Sequence, residues 1–310
     1  INNVIYLYMN AIKSKYAYIL KSIKKNTVLT PVFDNLKDKT YIISGGTRGV
    51  GLEIAKSLSS VGANIAILGR TTKPHPKLDG TLDSALIDIK AASNYDNDVM
   101  AVECDVRKYE NIEESINKVV NYFGSINGVV LNASALCLNP TLLQSKKEID
   151  LMTGVNINGT FIVGQKCLEH IKTQDHGNVI IIAPPIHMLY DDDWWVNHLY
   201  YSMSKFNMSI MAKFWNKEFP NISINTLWPR TTLDTAPVRN ILGGDKMVNI
   251  SRCPSIMGDA AKHIVLADPL QCTGFNFVDD EILASLDLDV EKYRINKNIS
   301  EKELMPDFFC

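Results

Sequence analysis

The sequence has no apolar run of bilayer-spanning length, so it offers no candidate for a helical membrane span. Its six cysteines, Cys104, Cys137, Cys167, Cys253, Cys272 and Cys310, include no Cys-x-x-Cys pair. Neither a zinc ribbon nor a thioredoxin-like dithiol is indicated, and buried thiols in a reducing compartment are expected instead. The six histidines show no His-x-x-x-His spacing, and no metal site is expected. No acidic residue precedes Asp34, whereas Lys13, Lys15, Lys21, Lys24 and Lys25 do. The remainder then holds 27 of the 32 basic residues against all 34 acidic ones, a net of −7. An acidic body argues against nonspecific nucleic-acid binding.

What is present begins with a leader unlike the rest. In it Ile5, Met9, Ile12, Tyr16, Ile19, Leu20 and Ile23 fall near helical spacing, with lysines between them. This basic amphipathic stretch resembles a mitochondrial targeting sequence. The alternative is a helix packed on the body or on a partner. The chain does not open with Met, so part of the leader is expected to be missing. A mitochondrial location is expected, with peroxisome and cytoplasm as alternatives. The ending Asp307-Phe308-Phe309-Cys310 carries no Ser-Lys-Leu-type signal. Pro31 and Asp34-Asn35 punctuate the join, which divides the chain into an extension over 1–36 and one domain over 37–310.

In that domain short apolar runs at 41–44, 64–68, 99–103, 128–131, 178–183, 223–227 and 275–278 read as strands. Helical patterns near 50–60, 81–93, 109–123, 146–173, 198–218 and 255–267 lie between them. Near-continuous apolar strands alternating with helices predict an α/β fold, a single doubly wound parallel sheet covered on both faces.

The first strand runs into Ser44-Gly45-Gly46-Thr47-Arg48-Gly49-Val50-Gly51, which opens a helical pattern at Leu52. Glycine lets the backbone turn tightly and approach a pyrophosphate, while the free N–H groups of the first helical turn face its charge. The second strand ends at Gly69-Arg70. In a dinucleotide fold an acidic residue here accepts from a ribose 2′-hydroxyl, and a cation accommodates a 2′-phosphate. Arg70, with Arg48 in the glycine turn, favours NADP(H). The basic Lys73-Pro74-His75-Pro76-Lys77 that follows is either a surface loop or a lid over the phosphate. Tyr201 and Lys205 stand at i and i+4, on one helix face. A free phenol has a pKa of about 10, and a neighbouring ammonium is expected to lower it enough for proton exchange with a substrate oxygen. Tyr200 competes locally, but four residues on it meets Ser204, which carries no charge.

Several motifs stand in register with these: Cys104-Asp105-Val106, Leu131-Asn132-Ala133-Ser134, Val155-Asn156-Ile157-Asn158-Gly159, Tyr201-Ser202-Met203-Ser204-Lys205 and Trp228-Pro229-Arg230. In order and spacing the chain resembles the short-chain dehydrogenase/reductase family over residues 38–280. The resemblance implies that Gly45, Thr47, Arg48, Gly49, Val50 and Gly51 cradle the pyrophosphate. It implies that Asp105 and Val106 meet the adenine, and that Asn132 and Ala133 line the adenosine side. Tyr201 would exchange the proton, Lys205 would hold the nicotinamide ribose, and Asn156 would anchor a water in the relay. Pro229 and Thr232 would complete the cofactor site, with Thr231 and Thr235 as nearby alternatives. Self-association through the helices at 146–173 and 198–218 is implied as well. A relative within the family that carries a further sterol-carrier domain resembles this chain at Lys73-Pro74-His75-Pro76-Lys77-Leu78, Pro184-Pro185 and Pro306-Asp307-Phe308-Phe309. This chain stops about where that domain would join, so lipid carriage is not expected of it.

The pattern breaks on the substrate side. The family places a serine at the end of the fifth strand, where this chain has Ala183-Pro184-Pro185. His187, Tyr190 and His198 are candidate replacements. Arg230 stands where a glycine is expected, and Asp191-Asp192-Asp193-Trp194-Trp195 lengthens the approach to Tyr201. Trp194 and Trp195 suit an apolar wall for a lipid-like substrate, or a packing or partner contact. Two functions follow: an NADP(H)-dependent oxidoreductase of lipid metabolism, interconverting a carbonyl and an alcohol, or an interaction subunit of a larger assembly that keeps the fold and nucleotide site.

Overall fold

The computed structural model describes residues 28–76, 78–190 and 195–309. The expectations for the leader before residue 28, for Lys77, for the acidic stretch and Trp194 at 191–194, and for Cys310 lie outside these residues, as do the side chains of Tyr190 and Trp195.

The seven apolar runs become strands: β1 (Thr40–Ser44), β2 (Asn64–Gly69), β3 (Val99–Glu103), β4 (Gly128–Leu131), β5 (Asn178–Ile182), β6 (Ser223–Trp228) and β7 (Asn276–Val278). They pair in parallel in the order β3-β2-β1-β4-β5-β6-β7. The helices are α1 (Gly49–Ser59), α2 (Leu82–Ala91), α3 (Tyr109–Phe123), α4 (Lys146–Met152), α5 (Thr160–Ile171), α6 (Leu199–Glu218), α7 (Asp245–Asn249), α8 (Ser255–Leu266) and α9 (Asp279–Ser285). Parallel strands need crossovers, and right-handed crossovers in both directions from β1 put helices on both faces. Both faces are therefore dry, which is why the strands do not alternate apolar with polar. Ile43, Ile67, Val130 and Ile180 share one core with Ile54 and Leu58 of α1 and Ile264 of α8. Their neighbours Ile42, Leu68, Val129 and Ile181 share the other with Ile116 of α3, Cys167 of α5 and Ala212 of α6. Each such aliphatic side chain contributes about 1.5–3 kcal/mol. Among the described residues no helix is long and apolar enough to cross a membrane.

The pattern at 146–173 predicts one helix, and the structure divides it. A wide π-type turn, Thr153–Gly159, separates α4 from α5. The chain here runs close against the loop after β3: a Cβ on Gly159 would lie 2.8 Å from the Val106 carbonyl oxygen. The extra residue in the turn rotates Asn156 inward, where it is fully buried.

Two segments outside the periodic pattern join the body. Leu29 and Leu36 are buried in the first core, and the Val32 N–H donates to the Leu266 carbonyl at 2.9 Å. At the other end, residues after α9 return over the sheet's carboxyl edge. Fully buried Arg252 draws them in, pairing with Asp280 at 3.4 Å and with Glu301. Thr231 and Pro306 form an antiparallel bridge, so the last residues become an arm beside β6.

Candidate active site

Crossovers leave β1 and β4 in opposite directions, and the crevice between them is where an open α/β sheet binds its ligand. A cavity of about 430 Å³ lies there, within the range of small-molecule sites. Gly45, Thr47, Arg48, Gly49 and Val50 line one side of it. Asn132, Ala133 and Val106 line another, and Arg70 stands at its edge. Gly45 and Gly49 have φ of +70° and +54°, which a side chain would strain. Gly51 does not line the cavity; it lets α1 close on the turn, since a Cβ there would lie 2.5 Å from the Gly45 oxygen.

The turn is braced by side chains. Ser44 Oγ accepts from the Asn132 and Ala133 N–H groups at 3.0 and 3.1 Å. Asn132 Nδ2 donates to the Ser44 and Gly45 carbonyls at 3.0 and 3.1 Å. No side chain caps the N-terminus of α1, so its first N–H groups are left for an anion. The Arg48 guanidinium donates to the Asp79 and Gly80 carbonyls at 2.6 and 2.7 Å, drawing the loop before α2 over the turn. Arg70 Nη1 lies 3.9 Å from Asp105 Oδ2. Arg107 holds the same carboxylate, Nε to Oδ1 at 2.9 Å, and this hydrogen bonding drops Asp105 to about 2. Two guanidinium groups, Arg70 and Arg107, thus flank one carboxylate at the adenosine end. The cradle, the uncapped helix and these cations fit the adenosine and pyrophosphate half of a dinucleotide.

The expected reaction residues stand apart from this cavity, on the first turns of α6. Tyr201 and Lys205 are 6% and 2% exposed. Lys205 Nζ donates to the Ile182 carbonyl at 2.6 Å and lies 5.1 Å from the centre of the Trp228 ring. The arm covers Tyr201. Phe309 stacks on Tyr201 with centroids 6.4 Å apart, and Phe308 meets it edge-on at 6.3 Å. Burial therefore raises the Tyr201 phenol, reinforced by the charge of Asp307. This is opposite to the direction expected from a neighbouring ammonium, because desolvation is the largest influence on the phenol. Burial also pushes Lys205 down to about 7, against the opposing charge of Asp307. Tyr200 is engaged elsewhere, its hydroxyl 2.6 Å from Thr153 Oγ1.

Asn156 is placed as a brace. Its Oδ1 accepts from the Ala135 N–H at 2.7 Å and from Ser134 Oγ at 3.2 Å. Its Nδ2 donates to the Ala135 carbonyl and to Ser204 Oγ, both at 2.9 Å. All four hydrogen-bond positions of its side chain are filled by protein, so a water at this residue would be held by its backbone. Thr235 lines the cavity with Ala236 and Pro237. Thr232 instead is buried, its Oγ1 2.7 Å from Ser251 Oγ, and Pro229 is not in the lining. At the end of β5 the Pro184 carbonyl accepts from Ser209 Oγ at 2.7 Å. His198 stacks over Phe308 at 6.5 Å, and burial lowers His187. Arg230 is tied to the start of α9, its N–H donating to Asp279 Oδ1 at 2.9 Å and its guanidinium to Asp280 and Glu281. Sequence reasoning missed the arm's place over Tyr201; the terminal Asp-Phe-Phe was visible, but no local period points it at α6.

The pattern of the family described as short chain dehydrogenase matches residues 39–242. The chain is similar to hydroxysteroid dehydrogenase-like protein 2 of Xenopus tropicalis, 34% identical over 285 residues that cover 91% of this chain and 66% of that protein. The human protein of the same name is also 34% identical, over 91% of this chain and 65% of its own length. The chain thus spans just under two thirds of the length of these relatives. Among solved structures, a short chain dehydrogenase of Mycobacterium thermoresistibile is 36% identical with a TM-score of 0.79, covering 88% of this chain and 95% of that one. A Xanthomonas campestris protein described as a dehydrogenase is 34% identical with a TM-score of 0.82, covering 89% and 99%. Glycine turn, braced β4 edge and Tyr-Lys helix face all lie in a sheet of that family's architecture, and the chain belongs to the short-chain dehydrogenase family.

Proposed function

We propose that this member of an oxidoreductase family, which uses a nicotinamide cofactor, prefers NADP(H) and interconverts a carbonyl and an alcohol on a hydrophobic, lipid-like substrate. The observation that carries the reading is the cavity over the glycine turn with Arg48 and Arg70 in its lining. Gly45 to Gly49 and the first turn of α1 would hold the pyrophosphate, and Arg70 a 2′-phosphate. A bound nicotinamide would supply or accept hydride. The chain's part in the reaction is the proton: Tyr201 would exchange it with the substrate oxygen, with Lys205 stabilising the phenolate. That step requires the arm to yield, because Tyr201 is covered by Phe308 and Phe309. Titrations are expected to give tighter binding of NADPH than NADH, and Arg70→Ala is expected to narrow the difference. Equal affinities in the wild type would contradict the charge argument. A carbonyl panel with NADPH tests turnover, which Tyr201→Phe is expected to abolish.

A second reading, an interaction subunit that keeps the nucleotide, is favoured by the covered Tyr201 and the absent serine after β5. Stable residence of the endogenous protein in a larger complex, with no turnover above Tyr201→Phe, would support it. Phe161, Ile210 and Phe214 are exposed on α5 and α6, which supports self-association through these helices; light scattering tests it. We read the lysine-rich leader as mitochondrial targeting, to be tested by its fusion to a fluorescent reporter.

A further inference from the structure

The two arginines in the cavity lining are held differently. We propose that Arg48 is a positioning residue: it latches the wall segment 78–81 to the glycine turn, serves NADPH and NADH alike, and leaves discrimination between them to Arg70. This role rests on the nucleotide-site reading given above and divides the work within that site.

Arg48 has already spent the edge with which a guanidinium grips a phosphate side-on. Its Nε donates to the Asp79 carbonyl and its Nη2 to the Gly80 carbonyl, at 2.6 and 2.7 Å. These two N–H groups form the parallel fork of the side chain. Its acceptors are successive backbone carbonyls, so the fork fixes the path of the segment. The segment also runs in backbone contact with the turn. Gly80 has φ of +87°, and a Cβ on it would collide with the Thr47 carbonyl oxygen. Beyond it the Leu82 N–H donates to the Thr71 carbonyl at 2.8 Å, and the capping box of Thr81 with Ser84 starts α2. Leu78 and Thr71 thereby line the same cavity as Gly45 and Gly49.

Arg70 is placed otherwise. Its side chain is 56% exposed and approaches Asp105 only to 3.9 Å. Arg107 makes the close contacts with that carboxylate, its Nε at 2.9 Å from Oδ1 and 3.1 Å from Oδ2. A guanidinium held this loosely can turn to a 2′-phosphate at little cost. Arg48 would first have to give up two charge-assisted hydrogen bonds and release the wall of the site.

Hydrogen exchange of the cofactor-free chain reads the segment itself. The amides of Leu78, Thr81 and Leu82 donate to the His75 carbonyl, Ser84 Oγ and the Thr71 carbonyl. In Arg48→Ala they are expected to exchange about tenfold faster than in the wild type, and in Arg70→Ala at the wild-type rate. Fluorescence titrations read the cofactors. Arg48→Ala is expected to weaken NADPH and NADH by the same factor, about tenfold, whereas Arg70→Ala weakens NADPH alone. Arg48→Lys keeps the charge but loses the fork, and is expected to follow Arg48→Ala in both measurements; it carries the test if the alanine variant does not fold. Unchanged exchange at 78–82, a loss confined to NADPH, or wild-type NADPH binding by Arg48→Lys overturns the inference. A wild type that binds both cofactors equally contradicts the NADP(H) preference instead, while a common loss in Arg48→Ala still upholds the latch. A wild type that binds neither removes the nucleotide site, and the latch's role with it.

Discussion

At Gly51 there is no room for a side chain. A Cβ would lie 2.5 Å from both Asn132 Nδ2 and the Gly45 oxygen, and the second of these is backbone that cannot step aside. Gly51→Ala is expected to cost roughly 1–3 kcal/mol and to weaken NADPH binding, as urea melts and a titration would read. Asp279 makes a different kind of demand. It is fully buried, accepts the N–H groups of Arg230 and Asp280, and is pushed by burial to about 7. An unfolded aspartate titrates near about 4, so between those values the folded chain holds a proton the unfolded chain has lost. Stability from this group is complete below about 4 and is lost as pH rises through about 7. Asp279→Asn cannot titrate, and it is expected to lose less stability than the wild type between about pH 4 and 7. Parallel slopes in urea melts across that range would contradict it.

The π-turn between α4 and α5 shows what a single side chain asks of an element. Asn156 ties the end of β4, through Ala135, to α6, through Ser204. Asn156→Ala would leave the buried partners of these bonds unmatched, and a loss of roughly 2–3 kcal/mol is expected. Chemical denaturation measures it, and a change within experimental error would show that the turn stands without its brace. The long helical pattern at 146–173 was legible in the sequence, and the break was not. Helical periodicity reports which residues face a core; it does not report a close approach to the loop at Val106, which forces the extra residue.

Across the whole molecule the arm is the element that joins most distant parts. Phe309 is buried between Tyr201, Phe206 and Trp228. Phe309→Ala is expected to cost about 3–5 kcal/mol and to expose the Tyr201 ring. Because burial is what raises this phenol, exposure should bring its titration down towards about 10. Ultraviolet difference titration against Tyr201→Phe reads the shift, and an unchanged phenol would mean that the arm does not seal the site. The order of β and α segments, the glycine turn and the Tyr-Lys face could all be read from the chain, since each is a local pattern with a fixed period or spacing. The fifth strand's missing serine was equally plain, but its meaning was not. Arg230, out of place as a glycine substitute, turned out to anchor α9 and, through its carbonyl, Asp307.

By itself the sequence determined the parallel sheet, its covered faces and the turn at its switch point, because strand burial, helix periodicity and glycine's backbone freedom act over a few residues. Tertiary structure alone decided that the side chain of Asn156 is fully bonded and that the tyrosine is roofed. Those outcomes depend on long-range closure of the chain, with Arg252, Arg230 and Trp228 fixing where its last residues come to rest, and no local pattern of residues encodes them.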